Sequence, residues 1–245
     1  MLPAEYDAMY RVELRHWWFR GRRRVLADLL TEVAGPRAGS IRILDYGCGT
    51  GGNTSAYASL GAVVGIEPDA GAVALARQHA GAQYVRASGT HLPFRPGCFD
   101  AVVASDVLEH IQDDRAAVSE IARVLRPGGA AVISVPAHPW LFSEHDAALH
   151  HFRRYTKIAL RNVLERGGLR IRRLSYWNAA LFPAISLHRL LARPRRAGHG
   201  PRSDTRSTPW LINEGLAGLL RVEAAILRHA SLPWGVSLVG VAERV

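Results

Sequence analysis

Short apolar segments alternate with longer segments of helical periodicity along the first 136 residues. The short segments are bounded by glycine, proline or acidic residues, which is typical of buried β-strands. In chain order they are IRILDYG, AVVGIEP, AQYVRAS, FDAVVASDV and GGAAVISVP. Helical segments such as AGAVALARQHA and DRAAVSEIARVLRPGG lie between them, and we expect the second to stop at Pro127 and the two glycines that follow. This alternation predicts a parallel sheet with helices on both faces.

Two further strands are predicted in the rest of the chain. TKIALRNVLERGGL is an amphipathic helix that ends at Gly167 and Gly168, and RIRRLSYW then alternates with the period of two of a partly exposed strand. WGVSLVGVAERV has the apolar pattern of a last strand. About 57 residues, 177–233, separate the two strands and contain two apolar helices around a polar loop, RPRRAGHGPRSDTRSTP.

The prediction is therefore one α/β domain over residues 1–245. Its centre is a Rossmann-like, mostly parallel seven-stranded sheet with helices on both faces and a helical insertion before the last strand. The four predicted parts are an N-terminal helical cap over 1–40, a core over 41–176, a helical insertion or lid over 177–233, and the last strand over 234–245.

Composition is ordinary for a globular protein, with 48% hydrophobic and 21% charged residues. The two cysteines, Cys48 and Cys98, form no C-x-x-C pair, so we expect a reduced, cytoplasmic protein without a disulfide framework or zinc knuckle. Charges interrupt the first 24 residues, which argues against a signal peptide. The most apolar stretch, YWNAALFPAISLHRLLA, contains Asn178, Pro183 and Arg189, and we do not expect it to span a membrane.

The formal net charge of +10 comes almost entirely from arginine, since Lys157 is the only lysine. The basic clusters lie at 20–24, 153–154, 170–173 and 189–206. Such clusters attract anionic partners such as RNA, phospholipid or a phosphorylated substrate. They are equally typical of solvated faces, and the sequence leaves both interpretations open.

A glycine-rich loop follows the first predicted strand. In ILDYGCGTGGN (43–53), Gly47, Gly49 and Gly52 match the G-x-G-x-x-G pattern of a nucleotide-binding loop that precedes a helix. Glu67, at the end of the second strand, is placed to accept the two hydroxyl groups of a ribose. NAD and S-adenosylmethionine fit these features equally well.

Asp45 separates the two cofactors, because it lies two residues before the first glycine. A carboxylate near a pyrophosphate is repelled unless it is neutralised. S-adenosylmethionine instead carries a positive ammonium and a positive sulfonium, so Asp45 favours that cofactor.

Four motifs together resemble a known family. LDYGCGTG, VVGIEPDA, LPFRPGCFDAVVASDVLEHI and VLRPGGAAVISVP resemble, in order and spacing, the motifs of class I S-adenosylmethionine-dependent methyltransferases over about residues 40–136. HWWFRGRRRVL and HHFRRYTKIALRNVLERGGLRI resemble flanking segments of a bacterial, methyltransferase type 11-like subgroup and extend the resemblance to about residue 177. The resemblance implies S-adenosylmethionine as cofactor and S-adenosylhomocysteine as product.

The resemblance implies cofactor contacts at the strand ends and on the N-terminal helix. They are Asp45, Gly47, Cys48, Gly49, Gly51, Glu67, Pro68, Ser88, Gly89, Thr90, Ser105, Asp106, Trp18 and Arg22. The glycines would line the methionine portion, with Asp45 near its amino group. Ser88 stands where relatives usually carry an aspartate for the adenine, so the backbone of Gly89 and Thr90 is expected to take over that contact. Ser105 and Asp106 would face the transferable methyl group.

Methyl transfer mainly requires alignment of acceptor, methyl carbon and sulfur, and a general base helps when the acceptor is a hydroxyl. Candidates follow the fifth strand: His138, His145, Asp146, His150 and Tyr155. Asp146 and His150 have helical spacing, which predicts an oriented base, although a structural role for the histidines stays open. Glu109 and His110 of VLEHI are interpreted as capping and packing residues.

The same segment also contains groups that could bind a metal. Glu144, His145, Asp146, His150 and His151 carry ligand groups, but their spacing matches no zinc signature. We therefore expect no metal.

The function predicted from the sequence is methyl transfer to a small-molecule, hydrophobic or aromatic acceptor, through oxygen, nitrogen or carbon. The helices LFPAISLHRLL and WLINEGLAGLLRVEAAIL would wall its pocket, or instead pack in the core or form the face of a homodimer. The alternatives are an RNA methyltransferase, an enzyme at the membrane surface with a lipid-linked acceptor, and a protein that binds S-adenosylmethionine without transferring methyl. Because no RNA-binding module is recognisable, we do not expect a nucleic-acid partner.

Overall fold

The computed structural model describes residues 3–191 and 208–245. Its seven strands are β1 Ile41–Tyr46, β2 Gly61–Glu67, β3 Ala82–Arg86, β4 Phe99–Ser105, β5 Leu125–Pro136, β6 Leu169–Trp177 and β7 Ser237–Arg244. They form one sheet in the order β3-β2-β1-β4-β5-β7-β6. Strands β1 to β5 are parallel, and β7 is antiparallel to both of its neighbours, β5 and β6. The predicted mostly parallel seven-stranded α/β fold is confirmed.

Helices cover both faces of the sheet. They are α1 Pro3–Val12, α2 Trp17–Ala34, α3 Thr54–Tyr57, α4 Ala70–Ala76, α5 Asp114–Val124, α6 Glu144–Ala148, α7 Lys157–Arg166, α8 Phe182–Leu191 and α9 Trp210–Leu227. Helices α5 and α7 pack on one face, and α2 and α9 pack on the other. Successive residues of β1 show why both faces are apolar, since Leu44 points into the first of these layers and Ile43 into the second.

Two observations refine the predicted boundaries. Helix α5 ends at Val124, and Leu125 pairs directly with Phe99 of β4, so Pro127 and the glycines lie in β5 and not at the helix terminus. In the segment predicted as a lid, Leu220, Ala224 and Leu227 of α9 are buried in the core layer beside α2. The loop RPRRAGHGPRSDTRSTP and the basic cluster 189–206 lie largely outside the described residues.

The strand order places the site. The strand order reverses between β1 and β4. From β1 the chain continues to β2 and β3 toward one edge of the sheet, and from β4 it continues to β5 toward the other edge. In open α/β sheets, ligands bind outside the carboxyl ends of the strands at such a switch point. Within the described ranges, no helix has the length and apolarity needed to cross a membrane.

Candidate functional site

A cavity of about 760 Å³ lies at the carboxyl ends of β1, β2 and β4. It is within the usual size range of small-molecule sites. Most predicted cofactor residues border it: Trp18, Arg22, Asp45, Gly47, Cys48, Gly49, Glu67, Pro68, Ser88, Gly89, Thr90, Ser105 and Asp106. Helices α1 and α2 contribute further wall residues, among them Tyr6 and Trp17, and Glu13 lies between the two helices.

The glycine loop is fixed to the neighbouring strand. The backbone amides of Gly47 and Cys48 both donate to the carbonyl oxygen of Ile66, at 2.9 Å each. Gly47 has φ +73°, and a Cβ atom there would lie 2.6 Å from Cγ2 of Val107. Gly51 is not among the described residues that border the cavity; it has φ +87° and packs against Ala76. Gly51 therefore shapes the loop, and Gly47 and Gly49 form its inner surface.

Glu67 is held in place from three directions. Its carboxylate accepts hydrogen bonds from the Gly49 amide at 3.2 Å, the Tyr6 hydroxyl at 3.1 Å and the Asp69 amide at 3.3 Å. Burial raises the pKa of Glu67, although these donors oppose the shift. A fixed carboxylate at the end of β2 is suited to accept hydroxyl groups of a ribose.

Two carboxyl groups lie at the glycine-loop end of the cavity. Asp45 is buried and accepts a hydrogen bond from the Thr54 hydroxyl at 2.6 Å, and burial raises its pKa to about 6. Glu13, between α1 and α2, is also buried, and its side chain packs against Gly52. Buried carboxyls favour a positively charged ligand group such as an ammonium.

Helix α2 covers the cavity and is tied to the sheet. Its first turn is capped by His16, whose Nδ1 accepts from the Trp18 amide, and the Trp18 ring stacks on Trp177 at 4.8 Å. One turn later, Nη1 of Arg22 lies 2.6 Å from Oδ2 of Asp106. Asp106 also accepts a hydrogen bond from the Ser134 hydroxyl at 2.7 Å.

A charged cluster contributes His151, Arg154 and Arg189 to the cavity wall. Four residues contact the fully buried carboxylate of Asp146: Ser143, His151, Arg154 and Arg189. Together with Asp146 they form what we call the Asp146 cluster. Oδ1 of Asp146 lies 2.7 Å from Nε of Arg154 and 3.0 Å from Nδ1 of His151, and Oδ2 accepts from the Ser143 amide at 2.9 Å. These donors hold the pKa of Asp146 well below its usual range, against the opposing effect of burial.

Comparison with known proteins agrees with this geometry. The family model of a methyltransferase domain matches residues 44–133. An uncharacterized methyltransferase of Mycobacterium sp. strain JLS is 36% identical over 170 residues, which are 67% of this chain and 64% of the relative. The chain thus spans slightly less than two thirds of that relative's length.

Solved structures show the same fold. A methyltransferase in complex with the Trm112 methyltransferase activator of Haloferax volcanii has a TM-score of 0.63 at 19% identity, covering 99% of this chain and 93% of that one. Phosphoethanolamine N-methyltransferase 2 of Haemonchus contortus, in complex with S-adenosyl-L-methionine, has a TM-score of 0.59 at 20% identity, covering 89% of this chain and 52% of that one.

Residues 44–133 match a methyltransferase domain, which agrees with the resemblance of the chain to the class I S-adenosylmethionine-dependent methyltransferases. The cofactor is S-adenosylmethionine, and the buried carboxyls of Asp45, Glu13 and Glu67 at one end of the cavity fit that cationic ligand. Carboxylates would repel the pyrophosphate of NAD, which agrees with the preference for S-adenosylmethionine that Asp45 predicts.

The structure places the five predicted catalytic residues in different environments. His145 borders the cavity. His138 stacks on Tyr176 at 5.1 Å with its Nε2 3.1 Å from the Gly235 carbonyl, and the Tyr155 hydroxyl donates to Asp114 at 2.7 Å. Neither side chain is among the described residues that border the cavity, and the same holds for Asp146 and His150.

The predicted pairing of Asp146 with His150 is wrong. Helix α6 ends at Ala148, and His150 adopts a left-handed backbone with φ +58°, which leaves its side chain exposed. His151 then turns back, so that its amide donates to the Asp146 carbonyl at 2.9 Å and its ring reaches the carboxylate. Helical spacing fails here because the helix has already ended.

Two cavity residues were interpreted from the sequence as packing residues. Glu109 and His110, in the turn after β4, border the cavity beside His151. Burial, with a smaller effect of His151, lowers the pKa of His110 to about 4, whereas burial and Asp106 raise that of Glu109 well above its usual value. The site roles of Glu13 and Tyr6 were not found from the sequence at all, since no local motif marks either residue.

Proposed function

We propose that this protein transfers the methyl group of S-adenosylmethionine to a small-molecule acceptor that presents apolar or aromatic surface. The observation that carries the proposal is the cavity itself. One space of about 760 Å³ joins the cofactor-type wall formed by Asp45, Gly49 and Glu67 to a second wall of different chemistry.

The second wall is largely apolar. Its residues include Trp17, Trp18, Leu149, Ile185 and Val236. This side also contains two ion pairs, Arg22 with Asp106 and Arg154 with Asp146. An apolar wall with few polar groups is typical of sites that bind small organic molecules.

The reaction would be an in-line displacement at the methyl carbon. The acceptor's lone pair forms the new bond to carbon while the carbon–sulfur electron pair returns to sulfur, which leaves S-adenosylhomocysteine. A hydroxyl or amine acceptor also loses a proton. His145 is the candidate base among the predicted residues after β5, because it borders the cavity.

The first experiment is calorimetric titration with S-adenosylhomocysteine, using NAD as a control ligand. We expect 1:1 binding that weakens by about tenfold or more in Glu67→Ala, because a buried carboxylate loses its contact with the ribose. Glu165→Ala, an exposed carboxylate on α7, is the matched control and should bind like the wild type. A screen of aromatic and aliphatic hydroxyl and amine acceptors with isotopically labelled methyl donor then tests transfer. No binding, or tighter binding of NAD, would refute the cofactor assignment.

A second candidate places the acceptor at a membrane surface. Five large apolar side chains of α8 and α9 are between 58% and 75% exposed: Leu187, Leu190, Leu191, Trp210 and Leu211. Apolar surface beside arginine-rich segments is typical of interfacial binding.

Sedimentation with vesicles of phosphatidylcholine and phosphatidylserine tests this second candidate. We expect the wild type to sediment with the vesicles and Trp210→Ser with Leu211→Ser to stay in solution. Ile158→Ser on α7, 72% exposed, is the matched control. A wild-type protein that remains in the supernatant would eliminate the membrane-surface candidate and leave the soluble acceptor.

A further inference from the structure

Glu109 has an environment that the fold alone does not explain. Its side chain is fully buried, and neither carboxylate oxygen accepts a hydrogen bond from any residue that the structure describes. A buried carboxyl without a hydrogen-bond partner is energetically unfavourable and is rare in folded proteins. Such a group indicates a missing partner.

Two histidines lie next to this carboxyl. One ligand atom each of Glu109, His110 and His151 can be chosen so that all three lie within 4.8 Å of one another. The two imidazole rings are nearly perpendicular, with centroids 4.6 Å apart. All three residues border the cavity.

His151 is oriented as a metal ligand would be. Its Nδ1 lies 3.0 Å from Oδ1 of Asp146. A carboxylate only accepts, so Nδ1 carries the proton and the lone pair of the neutral ring lies on Nε2. A carboxylate behind a histidine fixes the ring and its tautomer in many metal sites.

The backbone holds the three groups together before any ligand arrives. The amide of Phe152 donates to the carbonyl of Glu109 at 2.8 Å, which joins the segment after α6 to the turn after β4. Arg153 adds an ion pair with Asp114 at 2.8 Å. The left-handed turn at His150 directs His151 back toward this position.

We propose that Glu109, His110 and His151 bind a divalent first-row transition-metal ion in the wall of the cavity. Two imidazoles and one carboxylate form a donor set that suits zinc and its neighbours and does not suit magnesium or calcium, which prefer oxygen. Three protein ligands leave open coordination positions. The expectation of no metal from sequence spacing concerns a different set of ligands, within residues 144–151.

The ion's effect on the acceptor rests on the proposed function, whereas its binding does not. An ion facing the cavity would hold an acceptor that carries an oxygen or nitrogen donor and would favour loss of its proton. The structure thereby assigns a substrate class, namely acceptors with a metal-coordinating hydroxyl, carboxylate or amine next to apolar surface.

The test is titration of the chelator-treated full chain with Zn²⁺ in a calorimeter, with Co²⁺ absorption as a second readout. We expect one strong site and a Co²⁺ spectrum of low coordination number. Binding should weaken by about a hundredfold or more in Glu109→Gln and in His151→Ala. His150→Asn is the matched control, because asparagine tolerates the left-handed backbone and His150 lies outside the set; it should bind like the wild type.

Folding of each variant is verified by its thermal unfolding midpoint and by binding of S-adenosylhomocysteine. His110→Asn is a second variant if His151→Ala does not fold. Absence of a strong zinc site in the wild type, or equal zinc affinity in Glu109→Gln and the wild type, would overturn the proposal. Loss of binding in His150→Asn alone would assign zinc to an adventitious surface site and would equally overturn it. Zinc binding without S-adenosylhomocysteine binding would support the metal site while refuting the proposed function, so the two failures are distinguishable.

Discussion

Arg22 of helix α2 lies 2.6 Å from Asp106, the residue that follows strand β4. The pair joins the N-terminal segment to the switch point of the sheet, and both side chains are largely buried. Asp106 has an unusual left-handed backbone, with φ +53°, and its other oxygen is bound by Ser134. The covering helix and the floor of the cavity are therefore one connected structure.

Replacement of Arg22 by alanine should affect both stability and cofactor binding. The change leaves Asp106 partly buried without its cation, so we expect the free energy of unfolding to fall by about 2 kcal/mol. S-adenosylhomocysteine should bind about tenfold more weakly, because α2 loses its tie to β4. Urea unfolding and calorimetry measure the two effects.

The control for that prediction is Arg24→Ala on the same helix. Arg24 is 56% exposed and pairs with Asp28 one turn away. Arg24→Ala should lower the free energy of unfolding by less than about 0.5 kcal/mol and leave binding of S-adenosylhomocysteine unchanged. Equal effects of the two substitutions would contradict a specific role of Arg22.

Asp45 predicts a pH dependence of cofactor binding. Burial raises its pKa to about 6 from the ordinary value of 3.8. The ligand's ammonium favours the ionised carboxylate, so affinity for S-adenosylhomocysteine should rise from about pH 5 to about pH 7 and then level off. In Asp45→Asn the affinity should be about tenfold lower at about pH 7 and should lose this rise.

The raised pKa of Asp45 has the opposite effect on the stability of the ligand-free protein, which falls as the pH rises. A carboxyl whose folded pKa is raised contributes stability that is fully present below pH 3.8 and is lost as the pH rises through about 6. Asp45→Asn should therefore raise the unfolding midpoint of the free protein at about pH 7 while weakening ligand binding. A lower midpoint together with unchanged affinity would show that Asp45 has a structural role only.

Gly47 is expected to tolerate no side chain. Its φ of +73° is strained for other residues, and a Cβ atom would lie 2.6 Å from Val107. We expect Gly47→Ala to lower the free energy of unfolding by about 3 kcal/mol and to abolish measurable binding of S-adenosylhomocysteine. Urea unfolding and calorimetry measure these losses.

Gly215→Ala is the control for that substitution. Gly215 lies on the exposed face of α9, and a Cβ atom added there would have no neighbour within 4 Å among the described residues. Alanine there should stabilise the protein by about 0.5–1 kcal/mol through its helix propensity. Similar losses at both positions would contradict the steric account of Gly47.

Local sequence patterns were sufficient to predict the residues on the cofactor side of the cavity. The glycine loop, Asp45 and Glu67 are set by strand ends and turns, which depend on neighbouring residues, and the structure brings them to one cavity. The succession of strands and helices along the chain also followed from the alternation of apolar segments. These features are local, so a single sequence contains them.

The rest of the site depends on contacts between distant segments. Tyr6 reaches Glu67 only because α1 packs over the ends of β2 and α4, and no motif near Tyr6 records that packing. His151 lies near Glu109 because the amide of the next residue, Phe152, donates to the Glu109 carbonyl and joins two loops. The pairing of Asp146 with His150 was predicted from helical spacing and fails because His150 has a left-handed backbone. These side chains are positioned by tertiary contacts and by the end of helix α6, which local sequence patterns do not reveal.

Asp146 was predicted as a catalytic residue, and its contacts support a positioning role. It is fully buried and binds Arg154, His151, Arg189 and Ser143, with Arg154 itself also buried. Asp146→Asn would leave the Arg154 guanidinium without its counter-charge, and we expect the free energy of unfolding to fall by about 3–5 kcal/mol. Glu165→Gln, which removes the carboxylate of the exposed pair with Arg161, should change it by less than about 0.5 kcal/mol. Urea unfolding without any ligand measures both. If Asp146→Asn kept wild-type stability and lost only methyl transfer, the catalytic interpretation would stand and the positioning role would be wrong.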